Sequence, residues 1–104
     1  MSELHNIENK TTIKIPSHKT LAKAAEMAIT IEKPICCDYY KASLNKECKI
    51  GLDGTDKVLY KNVSEYTSPL QSMFKIVDEN QDSNSDYILE TQNSIYIISG
   101  AMLS

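Results

Sequence analysis

The chain contains no arginine and no tryptophan, and all eleven of its cationic side chains are lysines. The planar guanidinium of arginine makes most bidentate contacts to phosphate, carboxylate and guanine, whereas lysine supplies only a point charge. The formal net charge is −3, which argues against a strongly basic nucleic-acid binder. Sequence-specific reading of DNA is therefore disfavoured, although loose contact with phosphates is not.

Glycine and histidine are also scarce, with three glycines and two histidines. Gly51, Gly54 and Gly100 form neither a phosphate-binding loop nor a nucleotide fingerprint. A structural zinc ion needs four ligands and a cysteine nucleophile needs a base, but His5 and His18 are poorly placed for either role. The sequence thus predicts no cofactor, no metal site and no catalytic residue, and we expect a protein that is not an enzyme.

No apolar run approaches the ~18 residues that a membrane-spanning helix requires, so no membrane association is expected. The first residues, Met1 to Glu8, lack the charged-then-apolar order of a secretory leader. The chain has an odd number of cysteines, and we expect Cys36, Cys37 and Cys48 to be reduced thiols packed as small apolar residues. The absence of a leader pattern and the predicted reduced thiols both favour an intracellular location.

Local patterns predict one helix among several short strands. Ser17 can cap a helix from about His18 to Ile29, and Asp53-Gly54 between two β-rich runs indicates a hairpin. The apolar stripe of the helix is Leu21, Ala24, Ala25 and Ala28. The β-rich runs cover 11–15, 35–44, 48–52, 57–61, 70–77, 87–91 and 94–99. We predict a flexible tail over residues 1–10 and a single α+β domain over residues 11–104. In that domain the N-terminal helix packs on a mostly antiparallel sheet of about six strands.

The last third of the chain is the most informative part. Tyr87–Thr91 and Ser94–Ser99 flank the two-residue gap Gln92-Asn93, which is a hairpin signal. In this register Ile88 opposes Ile97 on one face and Leu89 opposes Tyr96 on the other, so both faces are largely apolar. A chain of 104 residues has little other mass to cover both faces, and we expect a second copy or another partner to do so. The interface candidates are Tyr87, Ile88, Leu89, Ile95, Tyr96, Ile97 and Ile98.

Tyrosines make up six of the seven aromatic residues. Their large apolar body and polar tip suit half-buried sheets and the rims of interfaces, so ordinary sheet packing is the favoured interpretation. Stacking on the bases of a single-stranded nucleic acid is the alternative. That alternative requires several tyrosines to share one face lined with lysines.

Several short segments between residues 32 and 99 together form a pattern of strands and turns. The pattern resembles small uncharacterised proteins encoded by large DNA viruses of protists, the giant viruses. The resemblance implies a viral origin and a location in the host cytoplasm, the host nucleus or the virion, and it implies no site residues. The segments are Lys33–Tyr40, Ser43-Leu44, Ile50-Gly51, Leu59–Lys61, Glu65–Pro69 and Glu90–Tyr96.

Three functions follow from these observations as hypotheses. The preferred one is a non-enzymatic viral accessory or virion-associated protein that acts as a homo-oligomeric interaction module, with a viral or host protein as a further partner. The alternative is a nucleic-acid-associated protein without sequence specificity, whose binding would weaken steeply with salt. A small enzyme would need a concave pocket that groups ionisable side chains.

Overall fold

A computed structural model of the chain describes residues 14–78 and 85–103 and shows an α+β fold. The predicted tail over residues 1–10 lies outside the described residues, as do the first three residues of the predicted strand 11–15. Lys14 and Ile15 belong to no strand. No helix in the described part of the chain is long and apolar enough to span a membrane.

Helix α1 (His18–Ile31) begins at the predicted residue and extends two residues past the predicted end. The hydroxyl of Ser17 accepts a hydrogen bond from the backbone N–H of Thr20 at 3.1 Å, which satisfies one of the free N–H groups at the start of the helix. The helix ends at Ile31, and the capping residue Glu32 that follows adopts a left-handed backbone with φ of 57°.

The face that α1 buries differs from the predicted stripe. Thr20 and Ala24 are fully buried, whereas Leu21 and Ala25 are exposed. The hydroxyl of Thr20 donates a hydrogen bond to the buried carboxylate of Asp86 at 2.9 Å, so the helix turns this polar residue towards the sheet. A prediction from apolar spacing alone therefore places Leu21 and Ala25 on the wrong side.

Four strands form the central sheet: β1 (Ile35–Cys36), β5 (Leu70–Ile76), β6 (Asp86–Thr91) and β7 (Ile95–Ser99). Their order in the sheet is β1-β7-β6-β5. Strands β5, β6 and β7 are antiparallel, and β1 pairs with β7 in parallel.

The predicted strand over residues 35–44 is wrong beyond its first two residues. After β1 the chain turns and forms helix α2 (Tyr40–Leu44), which packs against β7. Tertiary contacts explain the helix. Tyr39 packs in the core cluster that contains Leu59, and Tyr40 packs in the cluster that contains Ala24 of α1. A short helix at the edge of the sheet allows these two neighbouring residues to reach both clusters.

A second, three-stranded antiparallel sheet has the order β2-β3-β4. Its first two strands confirm the predicted hairpin, because Asp53 pairs with Asp56 and Gly54 adopts a φ of 67° in the turn. The strands are β2 (Lys49–Asp53), β3 (Asp56–Asn62) and β4 (Glu65–Tyr66).

The terminal hairpin forms in the predicted register, with Ile88 opposite Ile97, Leu89 opposite Tyr96 and Tyr87 opposite Ile98. Helix α1 covers one face, where Ala24 packs with Ile88 and Ile97. The three-stranded sheet covers the other face, where Leu59 packs with Leu89 and Ile98. The premise that one subunit has too little mass to shield both faces is therefore wrong.

Candidate functional site

The seven interface candidates lie in the middle of the molecule. They occupy the two inner strands of the central sheet, and five of them have no exposed surface. Ile88, Leu89, Ile95, Ile97 and Ile98 are fully buried, and Tyr87 and Tyr96 are half-buried. A partner cannot contact the five buried side chains in the folded subunit, so any self-association has to use another surface.

One edge of the central sheet is closed by the chain itself. Strand β1 pairs with the first two residues of β7, and the N–H of Ile95 donates to the carbonyl of Pro34 at 2.8 Å. Further along β7, the backbone N–H of Ser99 donates to the hydroxyl of Ser43 in α2 at 2.8 Å. Together β1 and α2 leave little of the β7 edge for another strand.

The opposite edge is formed by β5, which is seven residues long and pairs with one strand, β6, among the described residues. Met73 and Phe74 in its centre are 48% and 41% exposed. A long edge strand with exposed apolar side chains offers unpaired backbone N–H and C=O groups to another chain. A groove of about 340 Å³ lies beside the first half of β5 and is also lined by Ile50 and Lys57.

The two exposed apolar side chains lie on opposite faces of the sheet. Phe74 is opposite Ile88 and shares the face that α1 covers, whereas Met73 is opposite Leu89 and shares the face of the three-stranded sheet. A chain added beside β5 would thus bury one large side chain on each face. Lys75 is the single charged residue of the strand.

A partly buried polar cluster holds β5 in place. The hydroxyl of Ser72 donates to Glu90 Oε1 at 2.8 Å, and Lys33 Nζ lies 2.6 Å from Glu90 Oε2. Lys33 also donates to the carbonyl of Thr91 at 2.8 Å. Hydrogen bonds from Lys33 and Ser72 lower the pKa of Glu90, so the carboxylate stays ionised and keeps its two donors. These contacts within one subunit therefore hold β5 against the sheet.

The tyrosines divide between the core and one outer face. Tyr39 and Tyr40 are buried, whereas the rings of Tyr60 and Tyr66 lie 5.0 Å apart on neighbouring strands. Lys49 is opposite Tyr60 in the ladder, so these three side chains share a face. This face adjoins a groove of about 730 Å³ that Lys49 and Tyr60 line, together with Glu47, Lys61 and other residues. Two tyrosines thus share a face with a lysine, and a carboxylate lies beside them.

The cysteines show no reactive arrangement among the described residues. Cys36, Cys37 and Cys48 are free thiols, and Cys48 is buried with its Sγ 3.5 Å from the carbonyl oxygen of Tyr39. Burial and the charge of Asp38 raise the pKa of the Cys37 thiol, which reduces the fraction of reactive thiolate. No group of three histidine, cysteine, aspartate or glutamate side chains in residues 14–78 and 85–103 is arranged to hold a metal ion.

A buried carboxylate connects three elements of the fold. Asp86 at the start of β6 is fully buried and accepts hydrogen bonds from the Ser17 N–H, the Thr20 hydroxyl and the Tyr40 hydroxyl, each at 2.9 Å. Burial and the bond to Asp86 raise the pKa of Tyr40, which therefore keeps its proton and remains a donor. The cluster joins α1, α2 and β6. No local signal marks it, because its members are distant in sequence.

Comparison with protein-family models, with curated proteins and with solved structures finds no match to this chain.

Proposed function

We propose that this protein is a non-enzymatic interaction module that binds an extended segment of another chain along the outer edge of β5. The bound segment becomes a fifth strand of the central sheet. The observation that supports this function is the outer edge of β5, which pairs with no strand of residues 14–78 and 85–103, with Met73 and Phe74 exposed on its two faces. Backbone hydrogen bonds would supply affinity, and the side chains that meet Met73 and Phe74 would supply selectivity.

The expected affinity is modest. Burying the exposed half of a Met or Phe side chain contributes about 1 kcal/mol, and Met73 and Phe74 each offer such a half. A short added strand forms about four backbone hydrogen bonds, each with a net contribution of about 1 kcal/mol. These gains of about 6 kcal/mol stand against an association penalty of at least about 4 kcal/mol, so the module is expected to bind reversibly and weakly, with dissociation constants in the millimolar range or weaker.

A panel of fluorescent heptapeptides with alternating apolar and polar residues tests this function by fluorescence polarisation. We expect a subset to bind and to lose binding when alternate peptide amides are N-methylated, because N-methylation removes the donors that pair with β5. Phe74→Asp should abolish binding, whereas Val63→Asp should not, since Val63 is 96% exposed and lies outside the central sheet. Absence of binding by every peptide, together with absence of self-association, would contradict the proposal.

A second candidate function is loose binding of single-stranded nucleic acid on the outer face of the three-stranded sheet. The specific observation in its favour is the Tyr60–Tyr66 pair beside Lys49. Base stacking on an aromatic ring contributes about 1–3 kcal/mol per base, so Tyr66→Ala should weaken binding of a thymine oligonucleotide about tenfold or more. Binding should also fall steeply with salt. Salt-insensitive binding, or binding that Tyr66→Ala leaves unchanged, would exclude this face.

The viral origin implied by the resemblance remains a prediction, and so does a location in an infected cell or a virion. An accessory protein that works by adding a strand needs neither a cofactor nor a catalytic group. This is compatible with the scarcity of catalytic patterns in the sequence.

A further inference from the structure

We propose that the segment bound at the β5 edge is β5 of a second copy of this chain, paired antiparallel about a two-fold axis at Phe74. The inference rests on the proposed function, because it names the partner of the same edge. It also relocates the predicted self-association from the buried terminal hairpin to an exposed strand.

The regular part of β5 is symmetric about Phe74. The ladder with β6 shifts between Leu70 and Ser72, and from Ser72 to Ile76 the strands pair residue by residue. Phe74 is the central residue of this five-residue segment. Two such segments can therefore pair over their whole regular length without including the irregularity at Gln71.

The side chains that this symmetry brings together are compatible. In an antiparallel pair, opposite residues share a face, so Phe74 meets Phe74 of the partner subunit on the α1 face. Aromatic cross-strand pairs of this kind are favourable. On the other face Met73 meets Lys75 of the partner subunit, whose aliphatic stem can pack on the thioether while its ammonium group stays in water.

Lys75 is the single charged residue of β5, and the symmetry does not place two lysines opposite each other. The two Lys75 side chains become diagonal neighbours at about 7–8 Å. That distance is close to the Debye length of about 8 Å at physiological ionic strength, so their repulsion is weak and screened. Dimerisation should therefore strengthen with added salt, whereas nucleic-acid binding weakens.

The closed edge at β7 explains why pairing should stop at two copies. Because β1 and α2 occupy the β7 edge, the central sheet of the added subunit exposes no second long edge among the described residues. Pairing of β5 with itself gives a closed dimer with a continuous eight-stranded sheet, whereas pairing of two different edges would allow open-ended growth.

Cysteine cross-linking in a Cys36→Ser, Cys37→Ser background tests the symmetry directly. Opposite residues of an antiparallel pair have Cα atoms about 4.5–5.5 Å apart, which is within the range of a disulfide. Phe74→Cys should therefore form a disulfide-linked dimer on mild oxidation. Neither Met73→Cys nor Lys75→Cys should form one alone, but a mixture of these two variants should. Val63→Cys, on an exposed loop of the other sheet, is the matched control and should stay monomeric.

Sedimentation equilibrium of the unmodified chain gives the second measurement. We expect a species of twice the 11.7 kDa chain mass that dissociates on dilution, and complete loss of this species in Phe74→Asp but not in Val63→Asp. Circular dichroism should show that Phe74→Asp still folds, because Phe74 is 41% exposed at the edge of the sheet, while its urea midpoint should fall because part of the ring is buried and the dimer is lost. Raising the salt from about 0.1 M to about 1 M should shift the equilibrium towards the dimer, because the Debye length falls to about 3 Å.

The outcomes separate the two proposals. A chain that is monomeric at millimolar concentration and in which Phe74→Cys also fails to cross-link, or cross-linking by Met73→Cys alone, overturns the second-copy inference. If peptides of the panel nevertheless bind and Phe74→Asp abolishes their binding, the proposed function stands with a different partner. If neither a second copy nor a peptide occupies β5, both proposals fail.

Discussion

Replacing Asp86 with alanine should destabilise the fold more than any surface change, although Asp86 lies in no candidate site. The carboxylate accepts hydrogen bonds from the Ser17 N–H, the Thr20 hydroxyl and the Tyr40 hydroxyl, and it has no exposed surface. Each hydrogen bond to a charged group contributes about 1.5–3 kcal/mol, and a buried donor left without a partner costs about 1–3 kcal/mol. The three bonds form one cluster, so their losses are not additive.

We expect Asp86→Ala to lower the free energy of unfolding by about 4 kcal/mol, which is a large share of the 5–15 kcal/mol typical of a domain. Tyr40→Phe removes one donor and should cost about 1–2 kcal/mol. In the double variant the cost should be less than the sum, because Tyr40→Phe removes a donor that Asp86→Ala would leave unpaired. Urea unfolding followed by circular dichroism measures all three changes.

The matched control is Glu47→Ala, because Glu47 is an exposed carboxylate. Its effect should stay within about 0.5 kcal/mol. A loss below about 1 kcal/mol in Asp86→Ala, or strict additivity with Tyr40→Phe, would contradict the reasoning, because either result would show that the cluster does not hold α1 and α2 to β6.

Three further predictions concern the sheet and its polar cluster. The pKa of Glu90 is lower in the folded chain than its ordinary value of 4.5, because Lys33 and Ser72 donate hydrogen bonds to it. The contribution of the Glu90 carboxylate to folding stability is therefore present above pH ~4.5 and is lost as the pH falls through the folded pKa. The urea midpoint should consequently fall less with acid in Glu90→Gln than in the unmodified chain. Ile97→Ala should lower the free energy of unfolding in urea by about 2–5 kcal/mol, because Ile97 is fully buried. Unchanged stability in this variant would refute the position of Ile97 in the core. Gly100→Ala should lower the thermal midpoint, since a Cβ there would collide with the carbonyl oxygen of Ser85. An unchanged midpoint would show that the backbone yields freely at this position.

Features that depend on neighbours in the chain could be predicted from the sequence. Ser17 caps α1 through the Thr20 N–H three residues later, and Gly54 adopts the positive φ of the turn between β2 and β3. The register of β6 and β7 also follows from a short gap and from residue spacing. In each case the interaction joins residues that the chain already brings close together, so local chemistry selects the structure.

The site could not be predicted in the same way. Apolar residues on both faces of the terminal hairpin predict an interface there, but the same pattern describes a strand pair buried inside one subunit. Met73 and Phe74 lie in a run of ordinary strand character, and their exposure depends on β5 being an edge. Edge position depends on which strands pair, and pairing depends on contacts between distant parts of the chain.

The amino-acid sequence by itself determined the α+β class, the start of α1, the two hairpins and the scarcity of groups for catalysis or metal binding. Only the tertiary structure decided that α1 and the second sheet cover both faces of β6 and β7, that Asp86 is buried, and that β5 is the open edge. The physical reason is that hydrogen bonds and turns within a few residues are encoded locally. Burial and edge position, in contrast, depend on how elements far apart in the chain pack together.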